Sequence, residues 1–251
     1  MKKLMLWVCV VALTASYANG ATCRHYWDFE GANMGERIVD KVGGLPGSVM
    51  GTPDITVRDP NESPSAAGSR SLNPHIDIPM TFVRAGSFSG GDINLGRGSF
   101  AISFWYYDDS TDGNPRQMRI LDNMNSLLPG MLLSTTEDRL DFLFVDDEST
   151  VVTSTYEQNL PLFSSDRWIH VAINMDRINN LGSIYIDGGD PNEVTGHRTP
   201  THTFDFSATP LTGNLVNSGA MELGVIESGF YLPDAPVPIA PNHEYNLSLI
   251  H

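Results

Sequence analysis

Two segments of the chain read as β-strands whose two faces are both rich in apolar side chains. Residues 98–107 (GSFAISFWYY) and residues 166–177 (DRWIHVAINMDR) place successive side chains on opposite faces, as an extended chain must. A third run, residues 182–188, follows the second after a turn-rich connector. Together the three runs predict an antiparallel β-sandwich, which narrows the function toward recognition at a surface.

The remainder of the chain agrees with an all-β fold. Its 23 glycines and 16 prolines cut the 251 residues into short runs, and helical periodicity is scarce. Residues 40–75 are rich in turn signals and predict a long surface excursion with one strand near residues 55–57. Further strands are predicted at residues 24–29, 117–121, 130–134, 139–145, 151–156, 221–225 and 244–250.

The N-terminus has the pattern of a secretory signal. Lys2 and Lys3 precede an apolar run over residues 4–15, and small residues follow at 18–20. The run is too short for a spanning helix, which needs about 20 apolar residues. We therefore expect an exported protein, secreted or periplasmic, with a signal peptide at residues 1–20.

The exported part of the chain then divides into two regions. Residues 21–232 form the predicted β-sandwich domain, a length that suits one sandwich. Residues 233–251 form a proline-rich C-terminal segment, whose end is the candidate strand at 244–250.

Charge and cysteine content limit the partners. The formal net charge of −15 argues against nucleic acid or an anionic membrane, and it is compatible with divalent cations or with simple solubility. Cys9 lies in the predicted signal, so Cys23 is the only cysteine left after cleavage and no internal disulfide is expected. No later run is long enough to span a membrane.

Several motifs follow one another in a fixed order. They are residues 26–30 (YWDFE) with 40–44 (DKVGG), residues 98–106, residues 120–122 with 130–133, and residues 167–172 with 184–188. In this order, over residues 24–226, they resemble the laminin G-like and concanavalin A-like jelly-roll superfamily. The resemblance implies an all-β jelly-roll sandwich of two antiparallel sheets. A closing "G-x-IDEVrIy" strand, common in such domains, has no match here.

The resemblance leaves the function open, because sugar-binding, protein-binding, adhesive and hydrolytic proteins share this fold. The hydrolases carry a Glu-x-Asp-x-Glu type run that places carboxylates on one face of a strand, and this chain has none. Glu137 and Asp141 share a face, but Arg139 lies between them. We therefore expect a non-catalytic binding or adhesion module for a glycan or an extracellular protein. The alternatives are a glycan-active hydrolase or lyase, and a structural component of a cell envelope or extracellular assembly.

One acidic loop is a candidate metal site. In residues 108–114 (DDSTDGN), Asp108 and Asp112 before Gly113 resemble the opening of a calcium loop, where alternating oxygens converge on a hard cation. Arg119 stands where an EF-hand needs a glutamate, so the loop is not an EF-hand. Calcium is the one cofactor that the sequence suggests. Residues 146–148 (DDE) form a second acidic tip between strands.

Aromatic residues near strand ends are the candidate ligand contacts, because a ring face stacks on the C–H surface of a pyranose. The candidates are Tyr106, Tyr107 and Tyr231. The aromatic residues inside the strongest strand motifs are instead expected to pack in the core. These are Trp27, Trp105, Trp168 and His170.

Overall fold

A computed structural model describes most of the predicted domain. The described residues are 23–27, 34–50, 82–86, 93–108, 118–124, 129–136, 139–157, 168–187, 189–191, 198–226 and 245–250. The predicted signal at residues 1–20 and the predicted strand near residues 55–57 lie outside them.

Almost all of the regular structure in these ranges is strand. The one helix among the described residues is α1 (Met34–Arg37). The strands are β1 (Gly47–Met50), β2 (Phe82–Ala85), β3 (Asn94–Gly96), β4 (Phe100–Asp108), β5 (Met118–Asp122), β6 (Gly130–Thr136), β7 (Arg139–Val145), β8 (Val151–Glu157), β9 (Trp168–Asp176), β10 (Leu181–Ile186), β11 (Asp190–Pro191), β12 (Arg198–Thr199), β13 (His202–Asp205), β14 (Leu215–Val216), β15 (Met221–Ile226) and β16 (Tyr245–Ile250).

The described strands form two large antiparallel sheets and two small strand pairs. One sheet has seven strands in the order β1-β2-β15-β5-β6-β7-β8, and the other has five in the order β13-β10-β9-β4-β16. The small pairs are β11 with β12 and β14 with β3. This arrangement confirms the predicted all-β jelly-roll sandwich.

A single hydrophobic core joins the two large sheets. Alternation along each strand decides which side chains enter it: in β9 every second residue is buried. The five-stranded sheet contributes Ile102, Phe104, Tyr106, Ile169, Val171, Ile173, Met175, Ile184 and Ile186. The seven-stranded sheet contributes Val83, Ala85, Ile120, Leu121, Met131, Leu133, Leu140, Phe142, Phe144, Val152, Tyr156, Met221 and Leu223. Each fully buried large side chain stabilises the fold by about 1.5–3 kcal/mol relative to exposure.

Aromatic side chains from the two sheets pack against each other at one side of the sandwich, where the edge strands β8 and β13 approach each other. The ring of His202 lies 5.4 Å from that of Tyr156, and the ring of Phe204 lies 4.7 Å from that of Phe142. The ring of Phe204 packs directly against Gly182. A larger residue would not fit at position 182, because its Cβ would lie only 1.8 Å from the ring.

The N-terminal segment differs from the predicted strand at residues 24–29. Trp27 makes only an isolated bridge, and its fully buried side chain belongs to the core. The segment is held instead by buried Asp40, whose carboxylate accepts hydrogen bonds from the Tyr26 N–H (2.9 Å) and lies 2.7 Å from Nδ1 of His25. Burial by itself raises the pKa of Asp40, but these hydrogen bonds and those from the following turn bring the pKa below its ordinary value.

Two strands occupy places that the sequence patterns left uncertain. β1 lies inside the region predicted as a surface excursion and pairs with β2. β16, near the end of the chain, pairs with β4 and forms an edge of the five-stranded sheet, with Leu247 opposite Tyr106.

Candidate functional site

The three tyrosines predicted to contact a ligand fall in different surroundings. The side chain of Tyr106 is 2% exposed and belongs to the core between the sheets. This position disagrees with the prediction for Tyr106, because a ring packed inside the sandwich presents no face to a ligand. Tyr107, the next residue of β4, lies opposite Trp168 of β9 in the register. Tyr231 lies outside the described residues.

The predicted calcium loop lies mostly beyond the described part of the chain. Asp108 is the last residue of β4, opposite Tyr245 of β16, and Asp112 lies outside the described residues. Within the described ranges, no three His, Cys, Asp or Glu side chains are grouped so that they could hold a metal ion. Calcium at Asp108 and Asp112 stays a prediction.

The second acidic tip has a structural role. Asp146 is fully buried, and its carboxylate accepts hydrogen bonds from the backbone N–H groups of Thr150 (2.8 Å) and Gly213 (2.7 Å). Asp147 accepts hydrogen bonds from the Asn214 side chain (2.8 Å) and backbone (2.6 Å), and these lower its pKa. The tip therefore ties the β7–β8 connection to residues 213–214.

A buried arginine also contributes to the contact between the β7–β8 connection and residues 213–214. The guanidinium of Arg177 donates hydrogen bonds to the carbonyl oxygens of Gly96 (2.8 Å), Leu211 (2.5 Å) and Gly213 (2.5 Å). Burial lowers the pKa of Arg177, and the nearby charge of Asp146 opposes that effect. These contacts account for the acidic tip without any ligand.

Two carboxylates face each other on the seven-stranded sheet, on the outer side away from the core. Glu222 of β15 lies opposite Asp122 of β5 in the register. Nη2 of Arg84 lies 2.6 Å from the Glu222 carboxylate, and Arg119 pairs with Asp122. Each of the two carboxylates is thus already paired with an arginine side chain.

Of the pair weighed from the sequence for hydrolysis, Glu137 and Asp141, the structure describes only Asp141. Asp141 lies 2.8 Å from Nε of Arg139 and accepts a hydrogen bond from Thr155 (2.7 Å). Glu137 lies outside the described residues.

The outer side of the five-stranded sheet has a different character. Trp105, Trp168 and His170 occupy alternate positions of β4 and β9, opposite in direction to the core residues Phe104 and Ile169, and their side chains are half-buried. The rings of Trp105 and His170 lie 4.9 Å apart at an angle of 51°. We call Trp105, Trp168 and His170 the aromatic face. Their prediction as core residues is wrong, because they lie on the solvent side of the same strands.

His170 is fixed by the strand next to it. The backbone N–H of His170 donates a hydrogen bond to the carboxylate of Asp187 (3.0 Å). The backbone N–H of Asp187 donates one to the backbone carbonyl of His170 (2.7 Å). Burial lowers the pKa of the imidazole, and the negative charge of Asp187 raises it by a smaller amount, so the net pKa lies below its ordinary value. At neutral pH the ring is therefore uncharged and offers one donor and one acceptor.

The sequence of the chain matches a known family. The family model described as the concanavalin A-like lectin/glucanases superfamily matches residues 85–224, more than half of the chain. The chain belongs to the concanavalin A-like lectin/glucanase superfamily. The matched residues include β4, β9 and β10, and with them the aromatic face. No curated protein sequence matches the chain.

Solved structures share the fold at low sequence identity. The botulinum neurotoxin serotype G binding domain superposes with a TM-score of 0.58 and 13% identity, covering 86% of this chain and 44% of that one. The binding domain of Paraclostridial Mosquitocidal Protein 1 gives 0.54 and 13%, covering 82% and 43%. The serotype D ligand binding domain in complex with N-acetylneuraminic acid gives 0.56 and 10%, covering 84% and 43%.

These similarities establish the fold. The chain spans less than half the length of the solved binding domains that it matches, at 10–13% identity. No helix among the described residues is long and apolar enough to cross a membrane.

Proposed function

We propose that this protein is an exported, non-catalytic binding module that recognises a glycan or a cell-surface or matrix partner. The aromatic face is the observation that carries the proposal. It places two indole rings and an uncharged imidazole on the solvent side of the five-stranded sheet, half-buried and fixed by strand pairing. Half-buried aromatic rings on a rigid scaffold are typical anchors of binding surfaces.

The placement of the acidic residues supports binding over catalysis. The carboxylates of Asp122, Asp141 and Glu222 are paired with arginines, and those of Asp40 and Asp146 accept backbone hydrogen bonds. A pair able to exchange a proton is what glycoside hydrolysis requires. The solved relatives in fold are binding domains, and one of them was solved with N-acetylneuraminic acid.

Export and calcium belong to the same proposal. The pattern of residues 1–20 supports cleavage of a signal peptide, which would place the domain outside the cell or in the periplasm. Asp108 and Asp112 are the proposed calcium ligands. The net charge of −15 supports a partner other than nucleic acid.

The test is binding by the full chain, produced through a secretion pathway. We expect signal on an array of glycans, or on intact cells or extracellular matrix, and we expect EDTA to weaken it if calcium takes part. A protein that binds neither glycans nor cells nor matrix would overturn the proposal. Release of reducing sugar by the purified protein would overturn its non-catalytic part.

A further inference from the structure

The strands of the five-stranded sheet contain no lysine or arginine. None of the sequences of β4, β9, β10, β13 and β16 includes a lysine or an arginine, although the chain has 15. The charged residues within these strands are all acidic: Asp108, Asp176 and Asp205. Asp187, directly after β10, adds a fourth carboxylate beside His170. The described strands of this sheet therefore supply no lysine or arginine to an anionic ligand.

The aromatic face is accompanied by neutral hydrogen-bonding groups. Ser103 and Asn174 are half-buried and alternate with core residues of β4 and β9, so they share the side of the sheet that carries Trp105. A hydroxyl and an amide each both donate and accept, as sugar hydroxyls require. The face thus combines ring surfaces with uncharged polar groups.

The register spreads the aromatic residues over two rows. Trp105 lies opposite His170, while Tyr107 lies opposite Trp168 two residues further along both strands. Two residues of strand correspond to about 7 Å, and neighbouring strands are about 5 Å apart. A single pyranose ring cannot cover both rows, whereas two or more linked sugars can.

We infer that the aromatic face binds a neutral oligosaccharide of at least two sugars, and that it discriminates against sugars that carry a carboxylate. The inference rests on the proposed binding function and narrows its ligand class. Rings stack on the C–H surfaces of the sugars, and the neutral polar groups exchange hydrogen bonds with their hydroxyls. A carboxylate on the sugar would lie on a sheet whose lysine- and arginine-free strands carry carboxylates, and this like charge costs affinity.

The seven-stranded sheet is the rival surface for an anionic glycan, since its outer side carries arginines. Arg84 and Arg119, however, already pair with Glu222 and Asp122. An anionic ligand would have to compete with these carboxylates. The charge distribution therefore favours the aromatic face and a neutral ligand.

The experiment compares matched ligands and matched variants. Neutral di- to hexasaccharides of glucose, mannose and galactose, and lactose with its sialylated counterpart, are titrated against the full chain by calorimetry. We expect a neutral oligosaccharide to bind, its monosaccharide to bind at least tenfold more weakly, and sialylation to weaken binding. Trp105→Ala and Trp168→Ala should each weaken binding tenfold or more, as truncation of an aromatic anchor does.

The control is the double variant Arg84→Gln/Glu222→Gln on the other sheet, which should bind as the native protein does. A second measurement avoids variants that fail to fold. In a Trp7→Leu background, the tryptophans are Trp27, which is fully buried, and the two of the aromatic face. Saturating oligosaccharide should therefore protect tryptophan fluorescence from acrylamide quenching.

Three results would overturn the inference. Neutral binding that survives Trp105→Ala and Trp168→Ala, with no protection from acrylamide, would place the site elsewhere while leaving the proposed binding function intact. Preference for the sialylated sugar, lost in Arg84→Gln/Glu222→Gln, would assign the site to the seven-stranded sheet. Absence of all glycan binding would also overturn it, and the proposed function would then depend on the cell and matrix assays alone.

Discussion

The outer sides of the two sheets cover the same core but differ in how they treat charge. On the seven-stranded sheet, arginines and carboxylates from different positions pair across the surface, as Arg84 does with Glu222. On the five-stranded sheet the outer side carries Trp105, Trp168 and His170, and its strands contain no lysine or arginine. The difference shows that one surface pairs its charges within itself, while the other has rings and neutral polar groups that an external ligand can engage.

The largest expected effect separates the inner from the outer side of one strand. Phe104 and Trp105 are neighbours in β4, but Phe104 is fully buried in the core and Trp105 is half-buried outside it. Phe104→Ala should lower the free energy of unfolding by about 3–5 kcal/mol, and Trp105→Ala by about 1–2 kcal/mol. Urea denaturation of both variants measures the difference. Equal losses would mean that Trp105 is a core residue, and the comparison between the two sides of the sheet would fail.

The second effect tests the ion pairs of the seven-stranded sheet. The Asp122 side chain is only 10% exposed, so Arg119→Met leaves a nearly buried carboxylate without this arginine. The remaining hydrogen bond from the Met124 N–H reduces the penalty, and we expect a loss of about 2–3 kcal/mol. Arg119→Met/Asp122→Leu, the matched control, should recover most of it. A single variant as stable as the native protein would show that the pair adds nothing.

Residue periodicity predicted much of this architecture but not its orientation. The pattern of β7 predicted its bounds at residues 139–145, and alternation in β9 correctly placed Ile169, Val171 and Ile173 on one face. Alternation with a period of two residues shows which side chains share a face of the strand. It does not show which of the two faces packs against the other sheet. Because both faces of β4 and β9 carry aromatic or apolar residues, the pattern alone assigns Trp105 and His170 to core packing.

Other features depended on contacts distant in sequence. Arg177 is held by carbonyl groups at residues 96, 211 and 213, which no local pattern connects. The acidic tip at residues 146–148 resembles a metal loop in sequence, and only the approach of residues 213–214 shows that its carboxylates are occupied. One signal was present for the aromatic face: the absence of Lys and Arg from β4, β9 and β10.

The third prediction tests whether an ion pair stabilises the seven-stranded sheet or only compensates the cost of burying its two charges. Arg84→Leu/Glu222→Leu removes both charges of a pair whose side chains are 13% and 25% exposed. Replacing such a pair with apolar groups usually changes stability little, so we expect a change below about 1 kcal/mol in either direction. Glu222→Leu alone removes the carboxylate that pairs with Arg84, and it should lower the free energy of unfolding clearly more than the double variant does. Thermal unfolding of the three proteins ranks them, and a double variant less stable than the single one would contradict this view.

The smallest effect is the titration of the aromatic face. Burial lowers the pKa of His170 below its ordinary value of 6.5, so the unfolded chain binds a proton at this residue more readily than the folded one. Its contribution to stability is therefore complete above pH 6.5 and is lost as the pH falls below it. The lowered pKa values of Asp40 and Asp176 act in a separate window, below their ordinary value of 3.8.

The difference in melting temperature between pH 8 and pH 5 measures the contribution of the His170 titration to stability. His170→Gln removes the titration while keeping a neutral polar group next to Trp105, so its melting temperature should fall less than that of the native protein over this range. His25, which lies 2.7 Å from Asp40, is present in both proteins and cancels in the comparison. If the two proteins lose the same stability, the imidazole is not desolvated at this position. The aromatic face would then be more open to water than its half-buried rings indicate.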